Sequence, residues 1–227
     1  MRLILFDIDG TLVLTGGAGG RAMARAFREV FGTEHGLKSL SMAGRTDAWI
    51  VAQMASHHGL ACGEETIARF HDTYVDHLAR EIHEPGPQKG ILPGVRPLLE
   101  ALTADSRAQV ALLTGNYEKG ARIKLEYFRL WKYFACGAFG DSTYDRNSLL
   151  WTAIERVQAS CGISVPPSDV TIVGDTPLDV AVALAGGARS VAVATGSYDV
   201  DSLKACGADV VLENLEDVGA AMEAMGC

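Results

Sequence analysis

Short apolar runs alternating with longer amphipathic stretches constrain this chain more than any other feature. Leu3-Ile4-Leu5-Phe6, Gln109-Val110-Ala111-Leu112-Leu113, Val170-Thr171-Ile172-Val173 and Ser190-Val191-Ala192-Val193 are such runs, and a shorter one, Asp209-Val210-Val211-Leu212, lies near the end. Unbroken apolar character over so short a span reads as a strand buried on both faces, as in a parallel sheet covered by helices. The stretches at about 94–103, 117–129, 147–161, 177–185 and 215–225 read as the helices between them. The alternation predicts an α/β chain with a doubly wound parallel sheet.

The interval after the first strand breaks this rhythm. Ala22, Met23, Ala26, Phe27 and Val30 share one helical face, Trp49, Ile50, Gln53 and Met54 begin a second helix, and Ile67, Phe70, Tyr74 and Leu78 fall at three-to-four spacing in a third. Three helices with no strand between them predict an inserted α-helical cap domain over 16–87, with the core formed by 1–15 and 88–227. Gly16, Gly17, Gly19 and Gly20 mark one junction and Pro85-Gly86-Pro87 the other, and both are plausible hinges.

Composition narrows the partners. With 48% hydrophobic and 21% charged residues the chain can bury a sizeable core, and a formal net charge of −8 disfavours a nucleic-acid backbone as ligand. Five cysteines, at 62, 136, 161, 206 and 227, include no CxxC pair, so zinc ribbons and redox pairs are not expected and reduced thiols are. Aspartates interrupt the first apolar run, so it does not read as a secretory leader, and no run is long enough for a membrane span. The expectation is a cytoplasmic protein with no membrane partner, its oligomeric state open.

The strand ends carry the chemistry. Asp7-Ile8-Asp9-Gly10-Thr11 follows the first strand at once, where an open parallel sheet forms its ligand crevice. Leu113 is followed by Thr114-Gly115-Asn116, a donor cluster before a helix N-terminus and suited to an anion. Val173 is followed by Gly174-Asp175-Thr176-Pro177-Leu178-Asp179, with Pro177 at a first helical position and Asp179 one turn beyond Asp175. Asp7, Asp9, Asp175 and Asp179 would then share one crevice. Like charges about 4 Å apart cost on the order of 4 kcal/mol at an effective dielectric near 20, so such a cluster needs a cation. Oxygen ligands without His or Cys select a hard metal such as Mg²⁺.

These strings, in this order, resemble the haloacid dehalogenase-like hydrolase superfamily, in the helical-cap branch with phosphoglycolate phosphatase and β-phosphoglucomutase. Leu92-Pro93-Gly94-Val95, where the core resumes, is also typical of that branch. The resemblance covers essentially the whole chain and implies a Rossmann-like core. It implies that Asp7 attacks phosphorus to form an aspartyl phosphate, while Asp9 protonates the leaving alcohol and then activates water. Mg²⁺ would bind Asp7, the backbone carbonyl of Asp9, and Asp175. Asp179 would join the metal set or support the basic residue. Thr114 and Asn116 would hold phosphate oxygens, with Gly10, Thr11 and Gly115 also lining the substrate's seat. The basic residue of the third motif is usually Lys; here Arg146, within Asp145-Arg146-Asn147, fits the place.

Other signals weigh less. Gly17-Ala18-Gly19-Gly20-Arg21-Ala22 matches a dinucleotide fingerprint but lacks a sheet strand just before it, and reads as a hinge. His57, His58, His71, His77 and His83 show no ligand spacing and read as solvated helix faces. Gly44-Arg45-Thr46-Asp47 precedes the second insert helix, with Thr46 or Asp47 as its N-cap. Arg45 could reach the cleft and meet a substrate carboxylate or second phosphate. The expected activity is Mg²⁺-dependent hydrolysis of a small phosphorylated metabolite. The alternatives are a phosphomutase of the β-phosphoglucomutase type and a non-catalytic module phosphorylated on Asp.

Overall fold

The computed structural model describes residues 1–33, 35, 40–141 and 143–227. Strand β1 (Arg2–Phe6) lies inside a six-stranded sheet with β4 (Ala108–Leu113), β5 (Gly137–Ala138), β6 (Val170–Gly174), β7 (Arg189–Val193) and β8 (Val210–Leu212). The order is β5-β4-β1-β6-β7-β8 and every pairing is parallel. A separate antiparallel pair joins β2 (Val13–Leu14) to β3 (Gly90–Ile91), one strand on each side of the insert.

Alternation along the strands builds two apolar layers. Ile4 and Phe6 of β1, with Val110 and Leu112 of β4, pack against helices α4 (Val95–Ala104), α5 (Glu118–Tyr127) and α9 (Val218–Met225). Leu3, Leu5, Ala111 and Leu113 point to the opposite face, against α6 (Ser148–Cys161) and α7 (Pro177–Gly186). Both faces are therefore dry, which is why these strands read as unbroken apolar runs. The short helix α8 (Val200–Ala205) covers β7 and β8 through Leu203.

Helices α1 (Ala18–Phe31), α2 (Asp47–His57) and α3 (Glu64–Glu81) hold a cluster of their own. Phe27 meets Phe70 with ring centroids 4.6 Å apart, and Ala22, Met54, Tyr74 and Leu78 fill the rest. Tyr117, at the start of α5, is the core's contribution to this cluster. The two connections to the core run side by side at Gly16 and Gly86, so close that a Cβ on Gly86 would meet the carbonyl of Gly16.

The register decides where the chemistry falls. Phe6 pairs with Leu112 on one side and Val173 on the other. The three central strands thus end at nearly one level, and Asp7, Thr114 and Asp175 leave the sheet together. The chain passes from β1 to β4 and β5 on one side, then returns to β6 on the other, so this is the sheet's switch point. Among the described residues no helix is long and apolar enough to cross a membrane, and all five cysteines are unpaired.

Candidate active site

A cavity of about 380 Å³ opens at the switch point, a size suited to a small ligand. Asp7, Asp9, Gly10, Asn116, Arg146 and Asp175 line its core side. The insert supplies its roof, from Met23, Gly44, Arg45 and Ile50.

Asp7 is the centre of the buried side, 5% exposed. Arg146 places Nη2 3.2 Å from Asp7 Oδ1 and 2.5 Å from Asp179 Oδ1, while its Nη1 donates to the Gly44 carbonyl at 2.9 Å. One guanidinium therefore ties β1, α7 and the insert loop together, a task for its planar fork. Asp175 accepts from the Thr11 hydroxyl at 3.2 Å. Gly10, at φ +83°, and Gly196 both press on the Asp175 carboxylate, where any Cβ would collide with it. Asp179 spends its second oxygen on Thr176, accepting from its amide at 3.1 Å and its hydroxyl at 2.7 Å, a capping box that starts α7.

Carboxylate oxygens of Asp7, Asp175 and Asp179 lie within 4.8 Å of one another. Burial first, then the neighbouring carboxylates, pushes Asp175 up to about 8. Burial also pushes Asp7 up to about 6, against the pull of Arg146. Burial works against the charge of Arg146, but Asp179 and Asp7 outweigh it and hold its pKa above the ordinary value. Three carboxylates face one guanidinium, leaving an excess of two negative charges when all are ionised. A hard divalent cation on oxygen ligands fits that excess. Among the described residues no histidine joins a group able to hold a metal. His77 instead meets Glu29 at 2.9 Å, His71 meets Asp72 at 2.9 Å, and His58 meets the His35 carbonyl at 2.6 Å.

Asp9 has different surroundings. Its side chain is 42% exposed and turns away from the carboxylate group towards Asn116 and Lys124. Thr114 is fully buried, and its hydroxyl accepts from the Asn116 amide groups at 3.3 Å (backbone) and 2.8 Å (Nδ2). Gly115 accepts from the Asp47 amide through its carbonyl at 2.7 Å, so it faces the insert as well as the cavity. Thr46 is the N-cap of α2, its hydroxyl accepting from the Trp49 amide at 3.2 Å and donating to the Thr143 carbonyl at 2.8 Å. Asp47 is buried and accepts from the Tyr117 amide at 2.9 Å, and burial pushes its carboxyl up to about 7. Arg45 is exposed at the rim, its guanidinium 4.3 Å from the centre of the Trp49 ring.

Of the four carboxylates expected to share the crevice, Asp7, Asp175 and Asp179 converge and Asp9 turns aside to Asn116 and Lys124, and three further differences stand out. Thr11, Thr114 and Asp179 lie behind the cavity wall and support residues that face it. The crevice, for which the sequence shows no basic run, contains a buried lysine, Lys124, besides Arg146. Lys124 shares the inward face of α5 with Gly120, Ala121 and Leu125, and that lone charge on an apolar face was its signal. Thr195 and Gly196 also line the cavity, with Thr195 donating to the Gly10 carbonyl at 2.6 Å. They follow β7 after one residue, Ala194, where Thr114-Gly115 follow β4 directly, so the strand-end rule carried one residue further would have found them.

Residues 4–193 match the sequence profile of a family described as haloacid dehalogenase-like hydrolase. Phosphoglycolate phosphatase 1 of Pseudomonas aeruginosa is 29% identical over 229 residues, covering 96% of this chain and 78% of that protein. Glycerol-1-phosphate phosphohydrolase 2 of Saccharomyces cerevisiae is 28% identical over 230 residues, covering 94% of this chain and 82% of that protein. Among solved structures, a hydrolase from Pseudomonas syringae superposes with a TM-score of 0.76 at 21% identity over 98% of each chain, a likeness of fold.

Proposed function

This chain belongs to the haloacid dehalogenase-like hydrolase family, as a phosphatase, and from that premise we propose that it hydrolyses small phosphomonoesters through an aspartyl phosphate on Asp7, with Mg²⁺ as cofactor. The observation that carries this reading is the group of Asp7, Asp175 and Asp179 around Arg146 at the end of β1. Asp7 and Asp175, with the backbone carbonyl of Asp9, would hold the cation, which when bound neutralises charge on both carboxylate and phosphate. Asp179 keeps its oxygens on Arg146 and Thr176, which favours the supporting role over direct ligation.

Phosphate monoesters are among the slowest substrates to hydrolyse uncatalysed, and a carboxylate nucleophile divides the task into two easier displacements. Asp7 attacks phosphorus and the leaving alkoxide takes a proton from Asp9. In the second half Asp9 takes a proton from water, which attacks the phosphorus and frees Asp7. Such a scheme needs one carboxyl fixed and dry and the other open to proton exchange, and burial separates Asp7 from Asp9 in that sense. Arg146 Nε is buried without an acceptor, a costly state that a phosphate oxygen would relieve. Asn116 keeps both amide protons on Asp9 and Thr114, so it stands beside the phosphate and orients these two residues.

The substrate class is a short phosphorylated acid or polyol of the phosphoglycolate kind. The size of the cavity and the names of the two relatives, which act on phosphoglycolate and glycerol-1-phosphate, support it. We assign residues 16–87 as a cap over a core of 1–15 and 88–227, on the strength of the insert's separate apolar cluster and its paired crossings at Gly16 and Gly86. Phosphate release from a panel of phosphorylated metabolites, with Mg²⁺ and with a chelator, tests the reading. Release that needs Mg²⁺ bears it out. Conversion of a sugar phosphate to its isomer without free phosphate would make the chain a mutase, and no turnover at all would leave an Asp-phosphorylated module.

A further inference from the structure

One charged group in the cavity has no part in the scheme above. Lys124 is 4% exposed, and its ammonium donates to Asp9 Oδ2 at 2.5 Å and to Asn116 Oδ1 at 2.5 Å. Asn116 turns its own Nδ2 to the same Asp9 oxygen, at 2.9 Å. Lysine, asparagine and aspartate thus close a triangle, and the aspartate enters it by one oxygen only. Among the described residues no donor reaches Asp9 Oδ1, and the half-exposed side chain faces the cavity. The insert covers the ammonium from above, where a Cβ on Gly19 would come within 3.5 Å of Nζ.

We propose that Lys124 is a positioning residue for the acid–base step: with Asn116 it pins Asp9 through Oδ2, so that Asp9 exchanges its proton at Oδ1. This rests on the reading of Asp9 given above. An oxygen that already accepts two N–H donors has its lone pairs engaged and cannot also carry the transferred proton, so the proton belongs to the free oxygen. A half-exposed carboxyl without such a pin would turn among its side-chain torsions, and productive transfer needs it within about 2.6–3.2 Å of the leaving oxygen. The steps balance. As the Asp7–phosphorus bond forms and the ester bond breaks, the leaving oxygen takes the proton from Oδ1. When water then bonds to phosphorus, its proton goes to Oδ1 and the Asp7–phosphorus bond breaks.

The test is a mutant cycle on the full chain with Mg²⁺, using p-nitrophenyl phosphate, whose leaving group needs no proton, and ethyl phosphate, whose leaving group does. In single turnover, Lys124→Met should slow phosphoryl transfer from ethyl phosphate by about tenfold or more, within the range of a general acid, and change the p-nitrophenol burst by less than about threefold. Substrate affinity should hold, and hydrolysis of the aspartyl phosphate, which also uses Asp9, should slow alike for both esters. In an Asp9→Asn background the same substitution should cost nothing further, because the lysine acts through Asp9. Lys124→Arg should restore part of the loss. Should Lys124→Met fail to turn over the aryl ester, Lys124→Gln, which retains a donor, should show the selective loss in its place. Equal losses on both esters in the first step, weaker substrate binding instead of slower transfer, or a full additional loss in Asp9→Asn would overturn the proposal. A wild-type chain that releases phosphate from neither ester overturns the phosphatase reading and this inference with it.

Discussion

Asp175→Asn should remove the larger part of a pH dependence of stability that the wild-type chain carries. The Asp175 carboxyl is pushed from the ordinary 3.8 to about 8, by burial first and then by Asp179 and Asp7. A carboxyl whose pKa is higher folded than unfolded holds more protons in the folded state, so stability falls as pH rises between the two values. The contribution is complete below about pH 4 and is lost through pH 8. Between pH 6 and 8 Asp175 alone removes about 2 kcal/mol, at roughly 1.4 kcal/mol per pH unit until the slope fades near the folded pKa. For a chain of this length that corresponds to a fall in Tm of about 4–8 °C. Mg²⁺ at about 100 times its Kd returns about 2.7 kcal/mol and acts most where the carboxyls have already lost their protons. Calorimetric melts of the metal-free chain at pH 6 and 8 should therefore show a fall that is smaller in Asp175→Asn, where buried Asp47, pushed up to about 7, still contributes, and a gain from Mg²⁺ that is larger at pH 8. A wild-type Tm that rises from pH 6 to 8 relative to Asp175→Asn, or a Mg²⁺ effect retained by that variant, would refute the reasoning.

Further substitutions probe the neighbouring contacts. Arg146→Met leaves Asp7 and Asp179 without their shared cation and should cost about 3–5 kcal/mol, read as a lower midpoint in urea with an unchanged slope, together with loss of phosphate release. Gly44→Ala puts a side chain at φ +71° and against the Thr176 hydroxyl, so the insert loop should undock, raising KM while costing about 1 kcal/mol or more of stability. Arg45→Ala should raise KM for carboxylated or doubly phosphorylated substrates and leave a small aryl phosphate unchanged; an equal effect on all of them, or none, would make Arg45 a surface residue.

Much of this architecture is legible because its central strands are dry on both faces. β1, β4, β6 and β7 each carry an apolar run, and the helices between them show a regular stripe. Elements too short for any period stay hidden: β5 has two residues, Gly137 and Ala138, at the sheet edge, β2 and β3 are equally brief, and α8 is a six-residue helix. In the site, Asp7 and Asp175 are readable because each follows a strong strand directly. Lys124 shows in the sequence only as a lone charge on an apolar helix face, and its partner there stays unread. The lysine comes eight residues after Asn116 in sequence, and only the turn of α5 brings its ammonium back to Asp9. The division between residues that face the cavity and those that stand behind it, such as Thr11 and Asp179, depends on side-chain direction, which spacing alone does not carry.

The covalent step is the central claim, and it can be caught directly. The chain is mixed with Mg²⁺ and p-nitrophenyl phosphate, quenched in acid during turnover, digested and mapped by mass. One phosphoryl group should appear on the peptide that carries Asp7, disappear on treatment with hydroxylamine, and be missing from Asp7→Asn, which should also release no phosphate. Phosphate release by Asp7→Asn at a tenth of the wild-type rate or more, or a phosphoryl group on any other residue during turnover, would contradict the assignment of Asp7 as the nucleophile.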